Sequence, residues 1–144
     1  MKYSNGLIAI FLAIFVGLAC SGGDDQTKIN TLVDEANKFL REANSNAEKA
    51  ETKGTAFDAK IDSVKSESDL RSAREMGKEM LAIYTSMNEN FKKAGDKFDE
   101  AAKIGGGNAK HKEYLDLKAR EMHKRAEYST EMKAIPAALD DAKS

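Results

Sequence analysis

The chain has 144 residues, of which 33% are charged and 7% aromatic, with one proline and no tryptophan. This composition is typical of a single domain built from long helices and argues against a β fold. Since 23 basic side chains nearly balance 24 acidic ones, the charge excludes the strong positive field that binds nucleic acid.

The chain begins with an apolar segment that is typical of an export signal. Lys2 precedes the apolar run Leu7–Ala19, which is shorter than the roughly 20 residues that a bilayer-spanning helix needs. This layout predicts a secretory signal peptide over residues 1–19. The alternative is a permanent membrane anchor formed by the same run, and the length of the run favours the signal peptide.

The apolar run ends in Gly17-Leu18-Ala19-Cys20, and Ser21 follows. This sequence resembles the lipobox of bacterial lipoproteins: Ala19 fits the small residue before the cysteine, although Leu is more common than Gly at position 17. The resemblance covers only the start of the chain and names a class of proteins. It implies cleavage before Cys20, a diacylglycerol on its sulfur and a location in the cell envelope. In a Gram-negative source Ser21 favours the outer membrane, facing the periplasm.

Cys20 is the only cysteine, so a disulfide within the chain is excluded. It lies where the apolar run gives way to a polar stretch rich in Gly and Asp. We predict that residues 20–27 form a lipidated N-terminus and a flexible tether, and that residues 28–144 form a helical bundle.

Apolar and small residues spaced alternately by three and four predict two long helices, at about residues 28–65 and 69–103. Gly54 could divide the first helix in two, but the spacing keeps its phase across this residue and favours one continuous helix. Ser66 or Ser68 is expected to cap the second helix. The positions of the first series are Ile29, Val33, Ala36, Leu40, Ala43, Ala47, Ala50, Gly54, Phe57, Ile61 and Val64. Those of the second are Leu70, Ala73, Gly77, Met80, Tyr84, Met87, Phe91, Ala94, Phe98 and Ala101.

If these helices fold back on each other about a turn near Glu67, larger residues face Ala or Gly in almost every layer. Gly54 then faces Met80, and Gly77 faces Phe57. Close-packed interiors need this complementarity of volume. We therefore interpret the two glycines as space for the larger side chains, with hinges as the alternative.

Gly105, Gly106, Gly107 and Asn108 predict a stop and a restart, followed by a third helix at about residues 109–135. Pro136 is expected to end it. Its buried positions are predicted to be Leu115, Ala119, Met122, Ala126, Ser129, Met132 and Ile135. The expected fold is an all-α, elongated antiparallel three-helix bundle, arranged up-down-up with coiled-coil-like packing.

The sequence offers no catalytic or cofactor-binding constellation. His111 and His123 are about 18 Å apart along one helix, and neither has the close His or Glu neighbours of a metal-binding helix. We interpret both as solvated surface residues and predict that the protein is not an enzyme and has no catalytic, metal or cofactor site.

Two functional hypotheses follow. The first is a non-enzymatic scaffold or protein-interaction module, tethered to the membrane through the lipid on Cys20, with an envelope protein or a second copy as its partner and with no nucleic acid. The second is a periplasmic small-ligand or copper carrier that uses a methionine-lined bundle core, because thioethers are soft ligands. The methionines that suggest it are Met76, Met80, Met87, Met122 and Met132. Three of them, Met80, Met87 and Met122, fall in the predicted core series, where methionine commonly fills gaps. Several apolar residues lie outside the predicted core series and are expected mostly to widen the core, with Leu117 the candidate for an exposed partner surface. They are Leu32, Phe39, Met76, Ile83, Tyr114, Leu117 and Tyr128.

Overall fold

The computed structural model describes residues 23–104 and 109–141, and in these ranges the chain is almost entirely helical and contains no strand. The helices are α1 (Gly23–Asp62), α2 (Glu67–Ile104), α3 (Ala109–Glu131) and α4 (Ala134–Asp141). α2 packs against each of the other three. The all-α class is therefore confirmed, whereas the signal peptide and Cys20 lie outside the described residues.

α1 begins at Gly23, earlier than the predicted start near residue 28. Asp24 and Asp25 lie in its first turn, where carboxylates interact favourably with the positive end of the helix dipole. The Thr27 hydroxyl donates a hydrogen bond of 2.7 Å to the carbonyl of Gly23. Residues 23–27 are thus helical, which corrects their assignment to a flexible tether.

α1 runs without interruption through Gly54, so the prediction of one continuous helix is confirmed. A Cβ built on Gly54 would lie 3.8 Å from Cε of Met80, and one built on Gly77 would lie 3.5 Å from Cε2 of Phe57. Both predicted neighbours are therefore in place. These are ordinary van der Waals distances, so the packing does not require glycine at either position.

The start of α2 is fixed by two hydrogen bonds between its N-cap residue, Ser66, and Asp69 in the first turn. The Asp69 amide donates to Oγ of Ser66 at 3.1 Å, and the Ser66 hydroxyl donates to the Asp69 carboxylate at 2.8 Å. Ser66, one of the two predicted caps, is therefore the residue that caps α2. Lys60 of α1 also pairs with Asp69, with Nζ 2.8 Å from Oδ1, which joins the end of α1 to the start of α2.

The core follows the predicted series closely in α2 and in most of α3. It follows the series less closely in α1, where Val33, Leu40, Gly54 and Ile61 are only partly buried and Val64 lies beyond the end of the helix at Asp62. All positions of the α2 series are buried except Leu70, and in α3 the series is buried from Leu115 to Ser129. In α1 the buried residues are Ile29, Ala36, Ala43, Ala47, Ala50 and Phe57. The small alanines of α1 allow α2 to approach closely, and the aromatic and methionine side chains of α2 fill the space between them.

The predicted end of the third helix is wrong. α3 stops at Glu131, and the chain turns before α4 begins at Ala134. Inside a continued α3, Pro136 could not donate to the carbonyl of Met132, and its ring would clash with that turn. In the first turn of α4 the missing N–H costs nothing, because the donors there have no partner within the helix.

This break changes which C-terminal residues are covered. Met132 is 38% exposed and Ile135 is 58% exposed, so the last two predicted core positions are wrong. Pro136 is buried instead. Leu139 packs on α2, with its Cδ2 3.4 Å from where a Cβ on Gly77 would lie.

Candidate functional site

His123 of α3 lies against α2 and faces two aspartates. Its Nε2 is 3.0 Å from Oδ2 of Asp99 and 3.9 Å from Oδ1 of Asp96. The side chain is 35% exposed. The expectation of a solvated surface histidine is therefore wrong for His123, whose ring is half-buried and paired across the two helices.

Gly95 provides the space that the imidazole occupies. A Cβ built on this buried glycine would lie 2.7 Å from Cε1 and 2.9 Å from Nδ1 of His123. Real Cβ atoms do not tolerate such distances, so the ring could not lie there beside any larger residue. The position of His123 thus depends on the residue immediately before Asp96.

Asp96, Asp99 and His123 each offer one ligand atom, and these atoms lie within 4.8 Å of one another. Sequence reasoning missed this cluster because His123 follows Asp99 by 24 residues and lies on another helix. The available signal was weak: Asp96 and Asp99 are three residues apart, so they share a helix face, and a glycine precedes them. Only the position of α3 beside α2 brings the histidine to that face.

Polar groups add to the contact between α2 and α3. The Asn88 side-chain amide donates to the carbonyl of Ala126 and to Oγ1 of Thr130, each at 2.7 Å. The Arg125 guanidinium lies 5.8 Å from the centre of the Phe91 ring. α3 is therefore attached to α2 by hydrogen bonds and charge as well as by apolar packing.

Glu121 of α3 is held in its charged form. Burial raises its pKa, but Lys118 at 2.9 Å and Arg125 at 2.7 Å outweigh this effect and lower the pKa overall. For Tyr84, burial is the largest cause of a raised pKa, and the negative charge of Asp58 adds to it.

Three of the five methionines of the copper hypothesis lie in the core, whereas Met76 is only partly buried and Met132 is 38% exposed. Met80 is 2% exposed, Met122 is 1% exposed and Met87 is 8% exposed, all within one apolar cluster. Methionine commonly fills irregular gaps in such cores. Their surroundings are those of packing residues.

Four large apolar side chains are exposed in the C-terminal part of the described chain. Leu117 is 56% exposed and Tyr128 is 62% exposed, together with Met132 and Ile135. Leu117 and Tyr128 are three helical turns apart on one face of α3. The exposure of Leu117 is as expected, whereas Tyr128 does not widen the core. The other residues outside the core series pack against the core, namely Leu32, Phe39, Met76, Ile83 and Tyr114.

Two clefts open to solvent lie away from these methionines. One lies at the connection between α1 and α2, beside Val64, Leu70 and Arg71. The other lies between α1 and α2, and is lined by Thr27 and Leu32 on α1 and by Ile104 on α2. Neither is lined by a methionine, so neither connects to the core that a copper carrier would use.

Among residues 23–104 and 109–141, no helix combines the length and the apolar character needed to cross a bilayer. Comparisons of the chain with protein-family models, with curated proteins and with solved structures find no match.

Proposed function

We propose that this protein is a lipid-anchored lipoprotein of the cell envelope, in which a helical domain acts as a non-enzymatic scaffold or protein-interaction module. The observation that carries this proposal is the sequence Gly17-Leu18-Ala19-Cys20 at the end of an apolar run. One acyl chain holds a protein only weakly at a membrane, and the two chains of a diacylglycerol provide a stable anchor. The helical domain then needs no membrane-spanning segment of its own.

The finer architecture in this proposal is an elongated up-down-up bundle in which consecutive helices are antiparallel. Its support is the order of the contacts between α1 and α2. Glu35 pairs with Lys97, Asn46 with Ser86, and Lys53 with Glu79. As the residue number rises in α1, the number of its partner falls in α2, which is the order that a helical hairpin requires.

The interaction surface in this proposal is formed by the exposed apolar residues of α3 and α4. Leu117, Tyr128 and Ile135 each leave more than half of their surface in solvent. Tyrosine is among the residues enriched at protein interfaces, and the exposed apolar side chains of Leu117 and Ile135 add apolar surface on the same part of the chain.

Site-specific photocrosslinking in intact cells that naturally make the protein tests this function. A photoreactive amino acid replaces Leu117 or Tyr128 in the full-length chain, and a matched control places it at Glu48, which is exposed on α1. We expect one discrete adduct, with an envelope protein or a second copy, from the α3 positions and none from the control. Absence of adducts at both α3 positions, or equal adducts at the control, would contradict the proposal.

The alternative function, a copper or small-ligand carrier, makes a different prediction. Stoichiometric uptake of copper(I) by the purified protein, with loss of binding in Met80→Leu, would support it. No contact in the described residues favours it, because the three methionines pack among apolar side chains.

A further inference from the structure

We propose that Asp96, Asp99 and His123 form a zinc site that fastens α3 to α2. This inference goes beyond the proposed function and does not depend on it. Its three ligand atoms come from two helices, so a bound ion would link elements that are otherwise joined by packing and a few polar contacts.

The spacing of the ligand atoms fits a zinc ion. Zn²⁺ binds imidazole nitrogen and carboxylate oxygen at about 2.0–2.2 Å, so neighbouring ligand atoms in a tetrahedral site are about 3.4 Å apart. The observed separations from Nε2 of His123 are 3.0 Å to Asp99 and 3.9 Å to Asp96, on either side of this value. All three ligand atoms lie within 4.8 Å of one another.

The charges of the cluster also favour a cation. Two carboxylates converge on one imidazole, and a neutral imidazole has one N–H to donate. Asp99 is within hydrogen-bond distance of the ring, whereas Asp96 at 3.9 Å is beyond it. Lys97, which lies between the two aspartates in sequence, pairs with Glu35 and Glu100 instead. A divalent cation would use both carboxylates at once.

The space beside Gly95 distinguishes this cluster from an incidental group of surface acids. The imidazole fills a position that a Cβ at residue 95 would obstruct, so the glycine lets the ring lie close to α2 beside the two carboxylates. Imidazole together with carboxylates suits zinc, and the fourth position is left to water. The ligand side chains are 35–53% exposed, so an ion can enter from solvent.

The test is isothermal titration calorimetry of the full-length protein in detergent micelles with zinc chloride. The protein carries no polyhistidine tag and is first stripped of metal with a chelator that is then removed. We expect one zinc ion per chain, together with a zinc-dependent rise in the thermal unfolding temperature, because the ion binds only the folded state.

Asp99→Asn and His123→Gln should each weaken zinc binding by at least about tenfold. Gly95→Ala should weaken it as well, because the added methyl displaces the ring, while circular dichroism shows that the helices persist. The matched controls His111→Gln, Asp58→Asn and Cys20→Ala should bind zinc like the parent protein.

Two results would overturn the site. One is a parent protein that binds no zinc saturably, which would leave the cluster as an ion pair between helices. The other is binding that the folded Asp99→Asn and His123→Gln variants retain in full. Photocrosslinking from Leu117 does not depend on zinc binding, so failure of the zinc site and failure of the proposed function can be told apart.

Discussion

At the scale of single residues, the cap of α2 provides the clearest prediction. Ser66 accepts a hydrogen bond from the Asp69 amide, whereas Ser68 already lies inside the first turn of α2, where it cannot act as the N-cap. Ser66→Ala should lower the free energy of unfolding by about 1 kcal/mol, and Ser68→Ala should change it by less than about 0.5 kcal/mol. Urea denaturation followed by circular dichroism measures both, and equal losses would argue against Ser66 as the cap.

Asp69 predicts a pH dependence of stability. Hydrogen bonds from Lys60 first, and then from Ser66 and the Lys65 amide, lower its pKa from 3.8 to about 2. Because the folded state binds this proton less readily than the unfolded state, the stabilisation is complete above about pH 4 and is lost as the pH falls toward the folded pKa.

The variant Asp69→Asn tests this dependence. It should be less stable than the parent protein at pH 7, and the difference should shrink as the pH falls from about 4 to about 2. Asp34→Asn, which changes an exposed carboxylate of α1, serves as the control and should differ little from the parent. A difference between Asp69→Asn and the parent that is the same at pH 7 and pH 2 would contradict the prediction.

Gly54 and Gly95 should respond differently to alanine. Gly54 lies inside α1 with room for a methyl group, at 3.8 Å from Met80. Gly54→Ala should therefore raise the free energy of unfolding by up to about 1 kcal/mol, through helix propensity and a less flexible unfolded chain. In Gly95→Ala the displacement of His123 should cancel such a gain. Thermal unfolding of both variants would measure these changes in stability. A loss of stability in Gly54→Ala would indicate that the glycine is needed for packing.

At the scale of the helix, stability depends on the buried face of α2. Met80 is 2% exposed in the core, whereas Met132 lies in the turn after α3 and is 38% exposed. Met80→Ala should cost about 2–5 kcal/mol, because it removes buried contacts and leaves a cavity. Met132→Ala should cost less than about 0.5 kcal/mol. Comparable losses in chemical denaturation would mean that the core is not centred on α2.

The sequence was sufficient to predict the helices and most of their buried faces, because apolar residues spaced by three and four lie on one face of a helix. The burial of Ala73, Phe91 and Phe98 could be predicted from this spacing alone. The start of α1 and the end of α3 were less predictable. Asp24 and Asp25 resemble both a hydrated tether and a favourable first turn, and Pro136 can lie just after one helix or just inside the next.

The cluster around His123 could not be predicted in the same way. Its members belong to two helices, and their meeting depends on how α3 is rotated and shifted along α2. The spacing of residues within one helix determines neither the rotation nor the shift of α3. Because charges alternate along α3, His123 looks in the sequence like any other solvated residue. Only the position of α3 shows that Asp96, Asp99 and the preceding Gly95 form one cluster with His123.

At the scale of the whole molecule, the early start of α1 has a consequence for the proposed anchor. Cys20 precedes Gly23 by three residues, which span at most about 10 Å. If Cys20 carries a lipid, the first turn of α1 lies close to the membrane surface. α1 has 40 residues, so the turn near Ser66 lies about 60 Å from that first turn along a straight helix.

Lipid attachment at Cys20 is the central claim, and metabolic labelling with an alkyne fatty acid tests it most directly. Cells that naturally make the protein express it with a C-terminal tag, either with Cys20 or as the Cys20→Ala variant, and the captured protein is examined for label. We predict that the parent protein is labelled and recovered with membranes, and that the variant is unlabelled. Equal labelling of the two forms, or no label on the parent, would contradict the account.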